Sequence, residues 1–287
     1  MNRSLKSLRS YLEKGGSDPR WSPTPGVVVV GAGKGGVGTS TVATLLALSG
    51  ARDGRQVLLI DGDEGVGSIH LILGMDDPGV GLGDLKGGEA APSDLLRQVL
   101  PNLWFLPGGG GGVEATLAIS LGERRALYQR VSALYAQFDL VVLDGGSHLS
   151  SVLAACAAGA ERLMALTTSD RVAMAATYAL FKVTQDRFPS LPMEILVNSQ
   201  NDPSSDEVFR LMSSAATRFM GMEPRYGGSI PDDPLLAHLS RDGKPLTELP
   251  HDSPSMEAAG LIHGRLAAEQ ETFGAEPIPF LSQALSS

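Results

Sequence analysis

From Val27 onward, short apolar, strand-like runs alternate with segments long enough to be helices. The strand candidates are Val27–Val30, Val57–Ile60, Leu103–Leu106, Leu140–Leu143, Leu163–Leu166, Met193–Val197 and the less apolar Arg225–Ile230. A strand that is apolar without alternation belongs in a parallel sheet, where helices cover both faces and neither side meets water. The intervening segments Ser40–Arg52, Ser93–Leu100, Glu123–Gln137, Ser150–Ala158, Arg171–Arg187, Ser204–Met220 and Pro254–Gln270 are expected to be those helices. The pattern predicts an α/β fold, a doubly wound and mostly parallel sheet with helices on both faces. Ligands of such sheets bind beyond the carboxyl ends of the strands. The residues that follow each run are therefore where chemistry is expected.

Composition narrows the class. An apolar content of 43% over 287 residues supports a sizeable core and excludes wholesale disorder. A net charge of −9 argues against non-specific nucleic-acid binding, and no specific nucleic-acid partner is expected. One cysteine, Cys156, excludes an internal disulfide framework and a Cys-built zinc site, and suits a cytoplasmic location. Glu161-Arg162 interrupts the longest apolar stretch, Leu149–Leu166, so no segment reads as a membrane span. No apolar signal core follows the N-terminal Lys and Arg residues. Three regions are expected. Residues 1–26 form a short amphipathic helix (Leu5, Leu8, Leu12) on a proline-rich linker, residues 27–270 the main domain, and residues 271–287 a weakly ordered tail. The five glycines of Gly108–Gly112 read as a flexible surface loop.

After the first run comes Gly31-Ala32-Gly33-Lys34-Gly35-Gly36-Val37-Gly38-Thr39-Ser40-Thr41, leading into a helix. The spacing Gly33-x4-Gly38-x-Ser40 is that of a phosphate-binding P-loop, with Ser40 where the hydroxyl meets Mg²⁺. Glycines let successive N–H groups turn inward onto phosphate, and the helix adds the positive end of its dipole. One position departs: the pattern calls for Lys where Thr39 stands. Gly31, Gly33 and Gly36 also spell the dinucleotide fingerprint G-x-G-x-x-G, with Asp61 after the second run. That register would make the chain an NAD(P)-dependent oxidoreductase, and it leaves Lys34, Ser40 and Asp63 without a role. A ligand-free glycine turn is the plain alternative to both.

In Asp61-Gly62-Asp63 one carboxylate can organise a metal's water shell and the other polarise an attacking water. Asp and Gly also end many strands with no such purpose. Asp144-Gly145-Gly146-Ser147 follows the Leu140–Leu143 run, as a Walker-B aspartate holding Mg²⁺ would. Asn198 can offer its amide to an adenine edge or simply cap a turn.

Taken together these motifs resemble the MinD/ParA family of P-loop ATPases. Lys34-Gly35-Gly36-Val37-Gly38 matches the family's K-G-G-x-G-K-[ST], including its signature lysine, with Thr39 replacing the second lysine. Asp61-Gly62-Asp63 matches its D-x-D. Asp144 begins its D-x-x-[AG], with Ser147 in the last place. Asn198 and Ile230-Pro231-Asp232-Asp233 match its late Asn and I-P-x-D elements. The resemblance spans Val27 to Ala267. Within the family it points to the FlhG (FleN, YlxH) group of flagellar number and placement regulators. Asp84-Leu85-Lys86-Gly87-Gly88-Glu89, Leu106-Pro107-Gly108-Gly109, Val208-Phe209-Arg210-Leu211 and Asp252-Ser253-Pro254 carry that step.

The resemblance implies ATP and Mg²⁺ sandwiched in a homodimer, with Lys34 reaching the partner's phosphates and Asp63 positioning the hydrolytic water. It implies a cradle from Gly33 to Thr41, Mg²⁺ held by Ser40 with Asp61 and Asp144 in support, and adenine flanked by Asn198 and Pro231. It also implies a flagellar or polar-assembly partner such as an FlhF-like GTPase, and recruitment to the cell pole or inner membrane surface.

Three departures qualify this. A threonine at position 39 carries no charge, and losing a charge-assisted contact to phosphate costs about 1.5–3 kcal/mol. Weak nucleotide binding and slow or absent hydrolysis are therefore expected. CpaE/TadZ relatives also replace this lysine, so a nucleotide-independent scaffold is the alternative. Asn2–Tyr11 keeps Leu8-Arg9 of the D-Q-A-x-x-L-R helix that activates the partner GTPase, but lacks its Gln. Pro277–Ser287 holds no Lys or Arg, so membrane binding is expected to be weak or indirect.

Overall fold

The computed structural model describes residues 22–62, 68–87, 90–108, 121–199 and 204–272. The regions 1–21 and 273–287, the glycine run beyond Gly108 and Asp63 lie outside the described residues, and so do the readings that fall on them.

Four successive valines open β1 (Val27–Ala32), which is buried along its whole length. Their side chains alternate across the sheet, as strand geometry demands. Val27 and Val29 enter one hydrophobic core, Val28 and Val30 the other. β1 lies between β5 (Leu140–Asp144) and β6 (Arg162–Thr167) in an eight-stranded sheet. Outward on one side follow β2 (Val57–Asp61), β4 (Leu103–Leu106) and β3 (Arg97–Leu100). On the other side follow β7 (Met193–Asn198) and β8 (Arg225–Ile230). All neighbours pair in parallel except β3 with β4. All seven expected strands are present.

One face is covered by α1 (Thr39–Arg52) and α8 (Pro254–Thr272), whose Leu45, Leu46, Met256 and Ile262 pack in the second core. The other face carries α3 (Leu121–Val131), α4 (Leu149–Ala157), α5 (Arg171–Arg187) and α6 (Ser205–Met220). They contribute Tyr128, Val152, Phe181 and Val208 to the first core. Helices on both faces make the sheet doubly wound. The chain leaves β1 for β2 and β4, then returns through β5 to β6 on the far side of β1. That reversal opens a crevice at the carboxyl ends of β1, β2 and β5.

One expected helix is a correction. Ser93–Leu100 does not form a helix: a 3₁₀ turn covers Pro92–Leu95, and Leu96 turns extended at ψ 135°. Arg97–Leu100 then becomes β3, antiparallel to β4. The segment is too short for a stable helix by itself, and as a strand it satisfies the otherwise open edge of β4. Two short helices escaped the sequence reading, α2 (Ile69–Ile72) and α7 (Pro234–Arg241). The Leu149–Leu166 stretch is divided between α4 and β6. Among the described residues no helix is long and apolar enough to cross a membrane.

Candidate functional site

Gly31 remains in β1, paired with Ala165, so the loop that leaves the sheet begins at Gly33 as the P-loop register requires. A side chain on Gly33 would overlap the carbonyl of Ala176 in α5, so the loop can start there only as glycine. Gly38 has φ 95°, a left-handed conformation that glycine adopts without strain, and it caps α1. The chain therefore reverses into the helix within one residue. The N–H groups of Thr39, Ser40 and Thr41, in the first turn of α1, have no acceptor within the helix.

These residues border a cavity of about 270 Å³. Gly36, Gly38, Thr39, Ser40 and Thr41 line it from the loop, with Ser68, Ile72, Gly146 and Ser147 opposite. Its polar groups are hydroxyls and backbone amides, and none of these lining residues is a cation. Such a surface suits an anion chemically, since amides and helix ends stabilise negative charge without an ion pair.

Lys34 lies outside this lining. Its Nζ is 3.1 Å from Asp170 Oδ1, with both side chains about half exposed. Asp170 is the N-cap of α5, and the same oxygen accepts the N–H of Ala173 at 2.8 Å. The Ala173 N–H first, and Lys34 next, hold this carboxylate below its ordinary pKa.

Asp61 and Asp144 end β2 and β5 side by side in register, and Gly62 N–H donates to Asp144 O at 2.8 Å. Both are buried. Asp61 Oδ2 accepts the N–H of Ile69 at 3.4 Å, which fixes the start of α2, and Asp144 Oδ1 accepts the N–H of Gly146 at 2.9 Å. Neither lines the cavity itself. Their bonds reach Gly146, which lines it, and Ile69, which follows the lining residue Ser68.

Asn198 and Pro231 come together at the ends of β7 and β8, where Asn198 pairs with Ile230. One N–H of the Asn198 amide donates to Val37 O at 2.8 Å. Neither an adenine contact nor a turn cap describes that bond.

Asp233 entered the sequence reading only as the last place of the I-P-x-D element, with no role assigned to it. It is 2% exposed and accepts the N–H groups of Leu235 and Leu236 at the start of α7. It also accepts the backbone N–H and hydroxyl of Ser255, tying the Pro231 loop to α8. Burial works to raise its pKa, but the Ser255 hydroxyl and N–H and then the Leu236 and Leu235 N–H groups outweigh it, and the net shift is downward. The available signal was Asp followed by Pro, a usual helix start.

Comparison with known proteins matches residues 28–246 to the family described as CobQ/CobB/MinD/ParA nucleotide binding domain. The flagellum site-determining protein YlxH of Helicobacter pylori is 25% identical over 276 residues, 96% of this chain and 90% of that protein. The antiactivator FleN of Pseudomonas aeruginosa is 26% identical over 208 residues, 72% of this chain and 74% of that protein. The crystal structure of the cell division ATPase MinD of Pyrococcus furiosus superposes with a TM-score of 0.70 at 25% identity, over 88% of this chain and 100% of that one.

Proposed function

Since the chain belongs to the CobQ/CobB/MinD/ParA nucleotide-binding family, we propose that it binds ATP with Mg²⁺ at the carboxyl end of β1 and dimerises when it does so. The observation that supports this most is the glycine-shaped loop before α1 with its free first-turn amides. The amides of residues 33–41 hold the phosphates, and the Ser40 hydroxyl meets the metal. Asp61 and Asp144, buried at adjacent strand ends, orient the metal's surroundings from behind. Mg²⁺ supplies charge neutralisation for the phosphate oxygens when bound. Asp63 positions water, and Pro231 closes the base end beside Asn198.

Among the described residues the cradle's lining has no cation, so the missing charge comes from Lys34 of a second copy of this chain. Each Lys34 first leaves Asp170 of its own subunit. Binding by the single chain is then weak and turnover slow or absent, because the charge that stabilises phosphoryl transfer is not built into the subunit. The likeness to YlxH and FleN supports an output in the number or positioning of flagella or another polar machine, and an assembly protein or a GTPase is the partner this reading expects. Thr39 supports a second reading, a scaffold that works by protein contacts without nucleotide.

Sedimentation velocity with and without a slowly hydrolysed ATP analogue and Mg²⁺ separates the two. The nucleotide reading expects a shift to dimer in wild type and none in Lys34→Ala. A wild-type sedimentation coefficient indifferent to nucleotide would favour the scaffold.

A further inference from the structure

The amide of Asn198 reaches across 161 residues of sequence to a single backbone carbonyl, that of Val37 in the phosphate loop, at 2.8 Å. Its position is not free to drift. Asn198 is the last residue of β7, registered against Ile230 of β8, and the next N–H, that of Ser199, donates to Ile230 O at 2.8 Å. Gly38 makes room for it: a Cβ there would sit 2.8 Å from the Asn198 nitrogen.

The bond has a consequence through peptide geometry. The carbonyl of Val37 and the N–H of Gly38 belong to one planar trans peptide and point in opposite directions. Pinning the carbonyl toward β7 turns the Gly38 N–H away from β7, and Gly38 is one of the residues lining the cavity. The loop has little else to hold that peptide plane. Gly35, Gly36 and Gly38 have no side chain, Val37 is apolar and buried, and Thr39 is too short to reach back as a lysine could. Glycine peptides rotate readily, so an unpinned plane would present its carbonyl to an anion as easily as its N–H.

We infer that Asn198 is a positioning residue for the phosphate loop, holding the Val37–Gly38 peptide in the orientation that receives a polyphosphate. The inference rests on the nucleotide reading above and adds to it a role that does not depend on the base.

Calorimetry with two probes tests it: ATP–Mg²⁺, and inorganic tripolyphosphate–Mg²⁺, which has no base. Asn198→Ala is expected to weaken both by about three- to tenfold, the worth of one hydrogen bond. With tripolyphosphate–Mg²⁺ present, hydrogen exchange at residues 35–41 is expected to be faster in the variant than in wild type while β7 stays protected. Asn198→Asp keeps the volume, removes the donor and repeats the comparison if the alanine variant does not fold. Unchanged tripolyphosphate affinity with unchanged loop exchange would overturn the inference, even if ATP affinity fell, because only a base contact would then have been lost. Wild type that binds neither probe would instead overturn the nucleotide reading, and the inference with it.

Discussion

The two ends of the sheet handle charge in opposite ways. At the amino ends of β6 and β7, Arg162 and Glu194 are buried and meet at 2.8 Å. Arg265 of α8 closes on the same glutamate at 2.6 Å, and Glu269 and Glu161 complete the set. Burial alone would lower the pKa of Arg162, yet its bonds to Glu161 and Glu269 and the charge of Glu194 raise it, so the group stays charged. At the carboxyl end of β1 the cavity is lined by glycine, hydroxyls and one isoleucine. The nearest cation of the loop, Lys34, points to a half-exposed aspartate instead. Where charge serves only the fold, its partner is built in. At the cavity proposed to receive an anion, the described lining offers amides and hydroxyls and no cation.

The contrast is tested hardest at its buried end. Removing one member of a buried ion network leaves the others uncompensated, which costs about 3–5 kcal/mol. Glu194→Ala should therefore lower the thermal midpoint by about 10 °C, at some 2–4 °C per kcal/mol for a domain of this size. Nucleotide affinity of the protein that remains folded should not change. A stability loss under about 1 kcal/mol in urea titration would mean that the network is not acting as a unit. Next comes the cradle. Thr39→Lys restores a charge-assisted contact of about 1.5–3 kcal/mol, so calorimetry should show ATP binding tightened by roughly ten- to a hundredfold with stability little altered. Unchanged affinity would mean that the cavity has lost more than its lysine.

Much of this was legible in the sequence because the signals were local. Continuous apolar runs located five of the seven expected strands, since a strand covered on both faces has no polar side to show. The P-loop could be read because glycine spacing encodes its backbone path. β3 escaped because Arg97–Leu100 is a half-exposed edge strand whose identity depends on pairing with β4. α7 escaped because it is short and its core-facing Leu236 and Leu239 are only partly buried, which leaves a weak stripe in the sequence. The partners of Lys34 and Asn198 lie 136 and 161 residues away, and only the order of strands brings them to the loop. Asn198 was read from the sequence for a base contact or a turn cap, and the carbonyl its amide meets in the fold had no local signal.

The central claim is that the amides of residues 33–40 form an anion cradle although a threonine stands where the lysine is expected. A crystal structure of the protein with a slowly hydrolysed ATP analogue and Mg²⁺ tests it most directly. The account predicts the β-phosphate within hydrogen-bonding distance of the N–H groups from Gly36 to Ser40, with the Asn198–Val37 bond intact. A nucleotide bound elsewhere, with that cradle filled by the chain's own side chains, would contradict it.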